Sequence, residues 1–551
     1  MLMNNPNFKL DFNERSDNNN PLVNNFPMGD LFWKYPDRKP LETEIARINQ
    51  LQQDQVFCSN GGDEAIMLLM RLVNQKQKVI LPLPAFSQYT QGLVQWNIEV
   101  EYIQPKQDLS LDLDKLLQKI KLQNNVVIII TSPNNPTGEY LSIEIIERLL
   151  IVSNNQGSWI FLDEAYIEFC DIASASQNLL DLYDNLVILR TFSKAYGLAG
   201  IRVGYLIGSK NRIDAFKKMS LPFNVSQPSI NIAMEALQQQ NRVLVSQYCQ
   251  QIIQNRKILM EWLSEKNIPY NSSQGNFILI NLPPRKSQAV FSFLKRNKIL
   301  VRTFIDELLK DCIRITIPYN LSPLLSLLKQ SIKPALVCLD MDEVLIDTSK
   351  SYQQAIKSTV LELSGTEIAA SLIEQYKNQT GFNNDWVVTQ KILQSLEKHE
   401  DLDKVIEVFQ SYYLGENTNN HLNGFIKNET AIISKEFINR INNSTDIDFA
   451  VVTGRPRYEA DLGLELLGLE NLASISLNDV EEAKPSPQGI KTLQNKFSKS
   501  SWMCGDNPDD ILAAVSSNSL AIGIDPSNKK NLYQYGADIV VNSINDIESW
   551  L

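Results

Sequence analysis

Short runs of apolar, mostly β-branched residues alternate with amphipathic stretches between residues 79 and 207. The runs are continuous rather than alternating in polarity, and turn-forming residues flank them, which is typical of strands buried on both faces. Helical patterns such as Ile143–Ser153 separate them. This alternation predicts a parallel sheet with helices on both faces. The predicted strands are Lys78–Leu81, Val126–Thr131, Trp159–Leu162 and Leu186–Arg190.

A second α/β unit is predicted after a linker at Leu321–Pro334. Ala335–Leu339 forms a new buried strand pattern, and similar patterns return from Phe449–Thr453 onward, with mostly helical sequence between them. A chain of 551 residues has room for several domains. We therefore predict two α/β domains, at residues 1–330 and 335–551, the second with a helical insertion at about 350–442.

Composition and charge restrict the partners. Hydrophobic residues make up 43% and charged residues 21% of the chain, and the net charge of −11 argues against nucleic acid or anionic membrane as the main partner. The scattered cysteines are typical of reduced core residues. The first residues lack a signal-peptide pattern, and the most apolar runs are too short to span a bilayer. We expect a cytoplasmic protein that acts on small molecules.

A Thr-Phe-Ser-Lys segment at residues 191–194 follows the strand at residues 186–190 and provides a candidate for cofactor chemistry. Pyridoxal phosphate needs a lysine for its Schiff base, an acid beside its pyridine nitrogen and donors for its phosphate. Lys194 is the candidate lysine, and Thr191, Ser193 and Arg202 follow the same strand as candidate phosphate ligands. A guanidinium suits a phosphate because it binds two oxygens at once.

The other cofactor ligands are predicted at neighbouring strand ends, where open α/β sheets bind ligands. Asp163 ends one strand and can pair with the pyridinium, while Tyr166 and Asn135 can reach the ring hydroxyl. Phe86 can stack on the ring.

A glycine-containing turn supplies a further phosphate site. The segment that contains Gly62, Asp63 and Glu64 opens an apolar helical stretch, and backbone N–H groups at a helix N-terminus bind phosphate.

These motifs resemble fold-type I aminotransferases, most closely histidinol-phosphate aminotransferase, from about residue 10 to residue 319. The resemblance implies the PLP-dependent transferase fold, with a large parallel-sheet domain and a small α/β domain. It also implies that pyridoxal phosphate is the cofactor of an enzyme of amino-acid, here histidine, biosynthesis. The motifs occur in the family's order at Ser132–Gly138, Asp163–Phe169, Thr191–Gly204 and Cys312–Thr316.

The resemblance also assigns residues outside those strand ends. Tyr35 matches a residue that reaches the neighbouring subunit's cofactor phosphate, which implies a homodimer. Arg314 matches the arginine that grips the substrate's anionic group, and Arg302 matches one used for the substrate phosphate. The family's arm usually reads Asn-Glu-Asn-Pro and an aromatic residue, whereas this chain has Arg15 and Asp17 there. That difference leaves open another substrate, for example an aromatic amino acid.

Two aspartates directly after the strand at residues 335–339 predict a second active site. Asp340 can attack phosphorus and form an aspartyl phosphate, and Asp342 can protonate the leaving group and then activate water. Two carboxylates would repel a phosphate, so a cation is required, and Mg²⁺ prefers such oxygen ligands. Thr453 and Lys484 are candidates to bind the phosphoryl group. The predicted metal ligands are Asp340, Asp342, Asp506 and Asp510.

The order of these motifs matches haloacid-dehalogenase-type phosphatases over residues 335–551. The resemblance implies a Rossmann-like core, with residues 350–442 as the helical cap that closes on small substrates. Glu343 stands where this family usually has glycine, which adds negative charge and could alter the loop.

Several hypotheses remain open at this point. The first is a bifunctional enzyme with transamination in one half and magnesium-dependent ester hydrolysis in the other. The second keeps the aminotransferase but gives the phosphatase domain a regulatory or repair role. A decarboxylase built on the same fold is a rival, and a cofactor-sensing regulator ranks last because no DNA-binding motif is visible.

Overall fold

The computed structural model describes residues 8–9, 35–73, 77–171, 176–377, 379–382, 384–415, 417–418, 421–528 and 530–551. Packing divides the chain into two compact units. The first contains residues 1–282 and 298–325, and the second contains residues 283–297 and 326–551. The helix Ser322–Ile332 includes residues of both units. The predicted domain boundary between residues 330 and 335 stays a prediction.

A seven-stranded sheet forms the centre of the first unit. Every neighbouring pair in it is parallel except those that involve Gly204–Gly208, which is antiparallel to both its neighbours. The four predicted strands are confirmed, and all lie in this sheet. In spatial order the strands are Val56–Ser59 (β2), Gly204–Gly208 (β8), Leu186–Thr191 (β7), Trp159–Asp163 (β6), Val127–Thr131 (β5), Val79–Pro82 (β3) and Val100–Ile103 (β4).

Helices with one apolar face pack around this sheet. Trp159, Phe161 and Phe216 belong to the buried core between sheet and helices. The helices of the unit are Lys39–Ile48 (α1), Gly61–Val73 (α2), Ser87–Gln95 (α3), Leu113–Lys121 (α4), Ile143–Asn154 (α5), Lys210–Met219 (α6), Gln227–Ala236 (α7) and Gln239–Glu265 (α8).

A smaller antiparallel sheet completes the first unit, with Arg302–Thr303 (β11), Cys312–Thr316 (β12) and Phe277–Asn281 (β9) in spatial order. Its register places Arg302 directly opposite Arg314. Opposite residues on an antiparallel pair share a face, so the two predicted substrate arginines lie on the same side. Phe8–Lys9 (β1) pairs with Ile299–Leu300 (β10).

The second unit has a six-stranded parallel sheet as its core. In spatial order its strands are Ala473–Ile475 (β19), Asp448–Val452 (β18), Leu336–Leu339 (β13), Ser501–Gly505 (β20), Leu520–Ile524 (β21) and Ile539–Val541 (β22). Its helices outside the insertion are Lys286–Arg296 (α9), Ser322–Ile332 (α10, partly), Arg457–Leu467 (α16), Gln488–Phe497 (α17) and Pro508–Ser516 (α18).

The insertion between β13 and β18 is mainly helical, as predicted, and has a hydrophobic cluster of its own that includes Ile356, Val388 and Phe409. Its helices are Tyr352–Ser364 (α11), Ala370–Lys377 (α12), Asp385–Ser395 (α13), Leu402–Tyr413 (α14) and Lys435–Asn443 (α15). Short strands that the sequence did not predict are Ile346–Asp347 (β14), Asn417–Thr418 (β15), His421–Leu422 (β16) and Thr430–Ala431 (β17). No helix of the described residues is both long and apolar enough to cross a membrane.

Candidate active sites

A cavity of about 660 Å³ lies at the carboxyl ends of β5, β6 and β7 in the first unit. These strands run parallel, so the residues that follow them meet at one edge of the sheet. The structure thus brings most of the predicted cofactor and substrate residues together. The lining includes Gly62, Asp63, Phe86, Asn135, Asp163, Tyr166, Thr191, Ser193, Lys194, Arg202, Arg302 and Arg314.

Asp163 is a buried carboxylate at the end of β6, with 4% of its surface exposed. It accepts hydrogen bonds from the Tyr89 hydroxyl at 2.8 Å and from the backbone N–H of Ala165 at 3.0 Å. Burial raises the pKa of Asp163 to about 6, although both hydrogen bonds oppose that shift. A buried acid of this kind is suited to a cationic partner such as a protonated ring nitrogen.

Lys194 lies beside Tyr166, and its ammonium is 5.6 Å from the centroid of that ring. Tyr166 makes a T-shaped contact with Phe277 and accepts a long hydrogen bond of 3.4 Å from the Asn135 amide. The Asn135 oxygen in turn accepts a hydrogen bond of 2.5 Å from Arg314. These contacts connect the predicted ring ligands to the predicted substrate arginine.

Small and cationic groups form the predicted phosphate end of the cavity. The Thr191 hydroxyl donates to the Ser193 hydroxyl at 2.9 Å, and Arg202 contacts Asp63 at 2.6 Å. Gly61 has a φ of +75°, and a Cβ there would lie 2.4 Å from the Arg202 guanidinium. Glycine adopts this left-handed conformation without strain and leaves space for the arginine.

Two predicted cofactor residues are not among the lining residues. Glu64 accepts hydrogen bonds from the Asn60 backbone and from the Asn224 side chain, so it fixes the start of α2. Tyr35 is 80% exposed and stacks on Phe223 with ring centroids 4.4 Å apart. The arm residues Arg15 and Asp17 lie outside the described residues.

The donor set of the cavity fits pyridoxal phosphate. It combines one amine, one buried acid for a ring nitrogen, polar groups for a ring hydroxyl, and hydroxyl and guanidinium donors beside a glycine turn. Each chemical group of the cofactor therefore has a complementary group on this chain.

The second unit groups three carboxylates at the carboxyl ends of β13 and β20. One oxygen each from Asp340, Asp506 and Asp510 lies within 4.8 Å of the others. The Lys484 ammonium is 2.7 Å from Asp340 and 2.5 Å from Asp510, and Lys530 contacts Asp506. Burial, and then the charge of Asp510, raise the pKa of Asp340 well above its usual range.

Among the described residues, this group of carboxylates does not include Asp342, which the sequence predicts as a metal ligand. Its carboxylate is 2.7 Å from a guanidinium nitrogen of Arg455. Arg455 is also bound at 3.1 Å by both oxygens of Glu429, and only 1% of its side chain is exposed. Arg455 therefore orients Asp342 from one side.

Thr453 and Glu343 shape the loops of this site. Thr453 follows β18 and accepts a hydrogen bond of 3.1 Å from the Arg455 backbone. Glu343 has a φ of +56°, the left-handed conformation that the family's glycine adopts easily, and its carboxylate accepts two hydrogen bonds from Thr348. These bonds hold the loop despite the unfavourable residue type.

The carboxylate group fits a hard divalent cation. Three acidic oxygens this close repel one another, and Mg²⁺ binds through few carboxylates while keeping water and phosphate ligands. Lys484 offsets part of that repulsion.

Tyr89 and Arg455 are among the residues of these sites that were not predicted from the sequence. Tyr89 follows Phe86 by three residues, but nothing local in the sequence indicates its bond to Asp163, 74 residues away. Arg455 follows Thr453 by two residues, and this proximity to a motif residue was the available signal.

Comparison with known proteins agrees with this geometry. Residues 28–323 match the model of the aminotransferase class I and II family, and residues 337–524 match that of haloacid dehalogenase-like hydrolases. The chain therefore belongs to the class I and II aminotransferases. It is an aminotransferase fused to a haloacid dehalogenase-like hydrolase domain.

Individual relatives cover the aminotransferase half. The chain is 34% identical over 291 residues to histidinol-phosphate aminotransferase 1 of Bacillus anthracis, which covers 51% of this chain and 76% of that protein. The solved histidinol-phosphate aminotransferase from Clostridium acetobutylicum has a TM-score of 0.51 and 24% identity, over 58% of this chain and 98% of that one. A decarboxylase from Sulfurospirillum multivorans has a TM-score of 0.50 and 28% identity, over 54% of this chain and 79% of that one.

Proposed function

We propose that the protein is a bifunctional enzyme. Its first site catalyses pyridoxal-phosphate-dependent transamination between histidinol phosphate and 2-oxoglutarate, a step of histidine biosynthesis. Its second site hydrolyses a small phosphate ester with Mg²⁺. The observation that carries the first assignment is the cavity that holds Lys194, Asp163 and Arg202 together, in a chain 34% identical to a histidinol-phosphate aminotransferase.

Each residue of the first site has a proposed task. When bound, pyridoxal phosphate supplies an electron sink that stabilises negative charge at the substrate carbon. Asp163 keeps the ring nitrogen protonated, and Tyr89 orients that carboxylate. Lys194 would hold the cofactor through its amine, and the same amine would move the proton from the substrate carbon.

The phosphate end and the substrate end are proposed to lie at different parts of the cavity. Thr191, Ser193 and Arg202 hold the cofactor phosphate, together with the backbone of Gly62 and Asp63. Arg314 and Arg302 bind the anionic groups of the substrate, and their opposite positions on β12 and β11 place both on one face. Two adjacent like charges repel each other, so an anion between them is stabilised.

The second site is proposed to work through its own carboxylates. Asp340 attacks phosphorus, the bond to the leaving oxygen breaks, and Asp342 gives that oxygen its proton. Asp342 then removes a proton from water, whose oxygen attacks phosphorus, and inorganic phosphate and free Asp340 result. Asp340, Asp506 and Asp510 are the ligands proposed for Mg²⁺, which neutralises phosphate charge. Lys484 and Thr453 bind the phosphoryl oxygens.

We also propose a homodimer in which Tyr35 contributes to the cofactor site of the partner. The exposure of Tyr35 and its absence from the cavity lining support this proposal, since the residue is available to a second copy. We also propose that the aminotransferase comprises residues 1–330 and the phosphatase residues 335–551.

The test is a single-turnover reaction of histidinol phosphate with the full chain that carries Asp340→Asn, which prevents hydrolysis of the substrate. The cofactor absorbance should shift rapidly to that of the pyridoxamine form, and Lys194→Ala should show no shift. Rapid conversion with an aromatic amino acid but not with histidinol phosphate would overturn the substrate assignment.

A decarboxylase is the second candidate, because a solved decarboxylase shares this fold at 28% identity. Product analysis separates the two reactions. Decarboxylation releases carbon dioxide from an amino acid, and transamination releases a keto product while the cofactor gains the amino group.

A further inference from the structure

We infer that the phosphatase site selects phosphate monoesters of amino alcohols, whose leaving alcohol carries a positive charge, and that Asp385 and Glu459 provide this selectivity. The inference rests on the proposed phosphatase function and names the class of its substrate. It follows from where the leaving group must lie and from the charges that surround that place.

The leaving alcohol must lie beside Asp342, because this residue is the proposed donor of its proton. Asp342 lines a narrow cavity between the core loop after β18 and the cap helices α11 and α13. Asp385 and Trp386 line it from the cap, and Glu459 lines it from α16. These side chains would therefore face whatever the leaving oxygen is attached to.

Four cations of this site each contact a carboxylate: Lys377, Arg455, Lys484 and Lys530. Lys484 binds Asp340 and Asp510, and Lys530 binds Asp506. Arg455 binds Asp342 and Glu429, while Lys377 is 2.6 Å from Asp385. A second anionic group on the substrate would have to compete with these buried or half-buried pairs, which is unfavourable.

Carboxylates exceed cations around the cavity. Glu459 accepts hydrogen bonds from the Tyr352 hydroxyl and the Gln410 amide, and Glu343 accepts them from Thr348, so uncharged donors satisfy both. A phosphate dianion and one divalent cation bring no net charge, so binding them leaves this negative excess in place. The excess favours a cationic leaving group over a neutral one and disfavours an anionic one.

An aromatic ring adds to the same preference. Trp386 is half-buried at the cavity, beside Asp385 at the start of α13. An ammonium or imidazolium group over an indole ring is attracted by the ring's negative face. Arg455 already occupies the Tyr352 ring, at 5.1 Å from its centroid, so Trp386 is the ring that we assign to the substrate.

Three esters of nearly equal size test the inference: phosphoethanolamine, n-propyl phosphate and phosphoglycolate. The full chain with Lys194→Ala, which prevents amine chemistry at the other site, is assayed with Mg²⁺ for release of inorganic phosphate. We expect kcat/KM to fall in that order, by about tenfold or more at each step. Histidinol phosphate, which carries an ammonium group, should equal or exceed phosphoethanolamine.

Asp385→Asn and Glu459→Gln should each lower kcat/KM for phosphoethanolamine several-fold more than kcat/KM for n-propyl phosphate, so that the ratio of the two values falls. Comparing variants cancels the intrinsic reactivity of each ester. Matched controls are Asp403→Asn in α14 and Glu465→Gln in α16, both exposed, which should leave the ratio unchanged. A glutamine side chain has the same shape as glutamate, its oxygen can accept from the Gln410 amide, and its NH2 can donate to the Tyr352 hydroxyl, which can also accept, so Glu459→Gln is the variant expected to fold normally.

The outcomes separate the inference from the proposed function. Hydrolysis of phosphoglycolate as fast as phosphoethanolamine, or ratios that neither variant changes, would overturn the inference and leave the phosphatase function standing. No hydrolysis of any ester would overturn the phosphatase function, and the inference with it.

Discussion

The two sites differ in how far their ion pairs are exposed to water. In the aminotransferase unit, Arg202 pairs with Asp63 at a cavity wall, and their side chains are 43% and 57% exposed. In the phosphatase unit, Arg455 and Lys484 are almost fully buried against carboxylates. Water screens the first pair, so a ligand phosphate can displace it at low cost, whereas the second set is fixed before substrate arrives. The phosphate end of the first site is therefore completed by its ligand, whereas the second site is organised mainly by its own residues.

The largest expected effect tests whether the two sites are chemically independent. Lys194→Ala should lower transamination by at least about 10²–10⁴-fold, because the residue moves the proton, and should leave ester hydrolysis unchanged. Asp340→Asn should do the reverse, since an amide cannot serve as the nucleophile. Parallel steady-state assays of both activities on each variant provide the measurement. Loss of both activities from a single substitution would show that the sites depend on each other.

The next effect compares buried and exposed ion pairs within one loop region. Arg455→Met should destabilise the phosphatase unit by about 3–5 kcal/mol, because it leaves Asp342 and Glu429 without their buried cation. Arg457→Met, whose side chain is 37% exposed, should cost no more than about 1 kcal/mol. Calorimetry that resolves the unfolding of this unit measures both. Equal costs would contradict the view that this site is fixed by burial.

Asp163 gives a pH test of the other site. In the cofactor-free protein burial raises its pKa from 3.8 to about 6, so the folded form holds this proton more tightly than the unfolded form. Stability should therefore fall by up to about 3 kcal/mol as pH rises from about 4 to 6. Asp163→Asn should remove that part of the slope. Chemical denaturation of the aminotransferase unit across this range, in both proteins, tests the prediction.

The cofactor-bound protein is the control for this slope. A positive ring nitrogen beside Asp163 favours the ionised carboxylate, so bound cofactor should weaken or reverse the loss of stability above pH about 4. An unchanged slope in the bound protein would contradict the pairing of Asp163 with the ring.

The sequence predicted the strands well because continuous β-branched runs leave few alternatives, and β5, β6 and β7 follow them closely. It also indicated which residues share the first cavity, since parallel strands bring their carboxyl ends together. It did not predict Tyr89 bound to Asp163 or Glu429 bound to Arg455, because these partners are far apart in the chain and belong to different elements. Local sequence patterns also did not indicate that residues 283–297 belong to the second unit.

The smallest expected effect sharpens the contrast between the sites. Asp63→Asn removes the exposed partner of Arg202 and should change the unfolding free energy of the cofactor-free protein by no more than about 1 kcal/mol. In this variant no ion pair of Arg202 with Asp63 has to be broken before Arg202 binds the cofactor phosphate. The affinity for the cofactor should therefore stay the same or rise slightly. Arg202→Ala should weaken it clearly, because a charge-assisted contact to phosphate is lost. Fluorescence titration of the cofactor-free variants measures these affinities. A marked loss of affinity in Asp63→Asn would show that Asp63 positions Arg202 for the phosphate, and the first site would then resemble the second in being fixed before its ligand arrives.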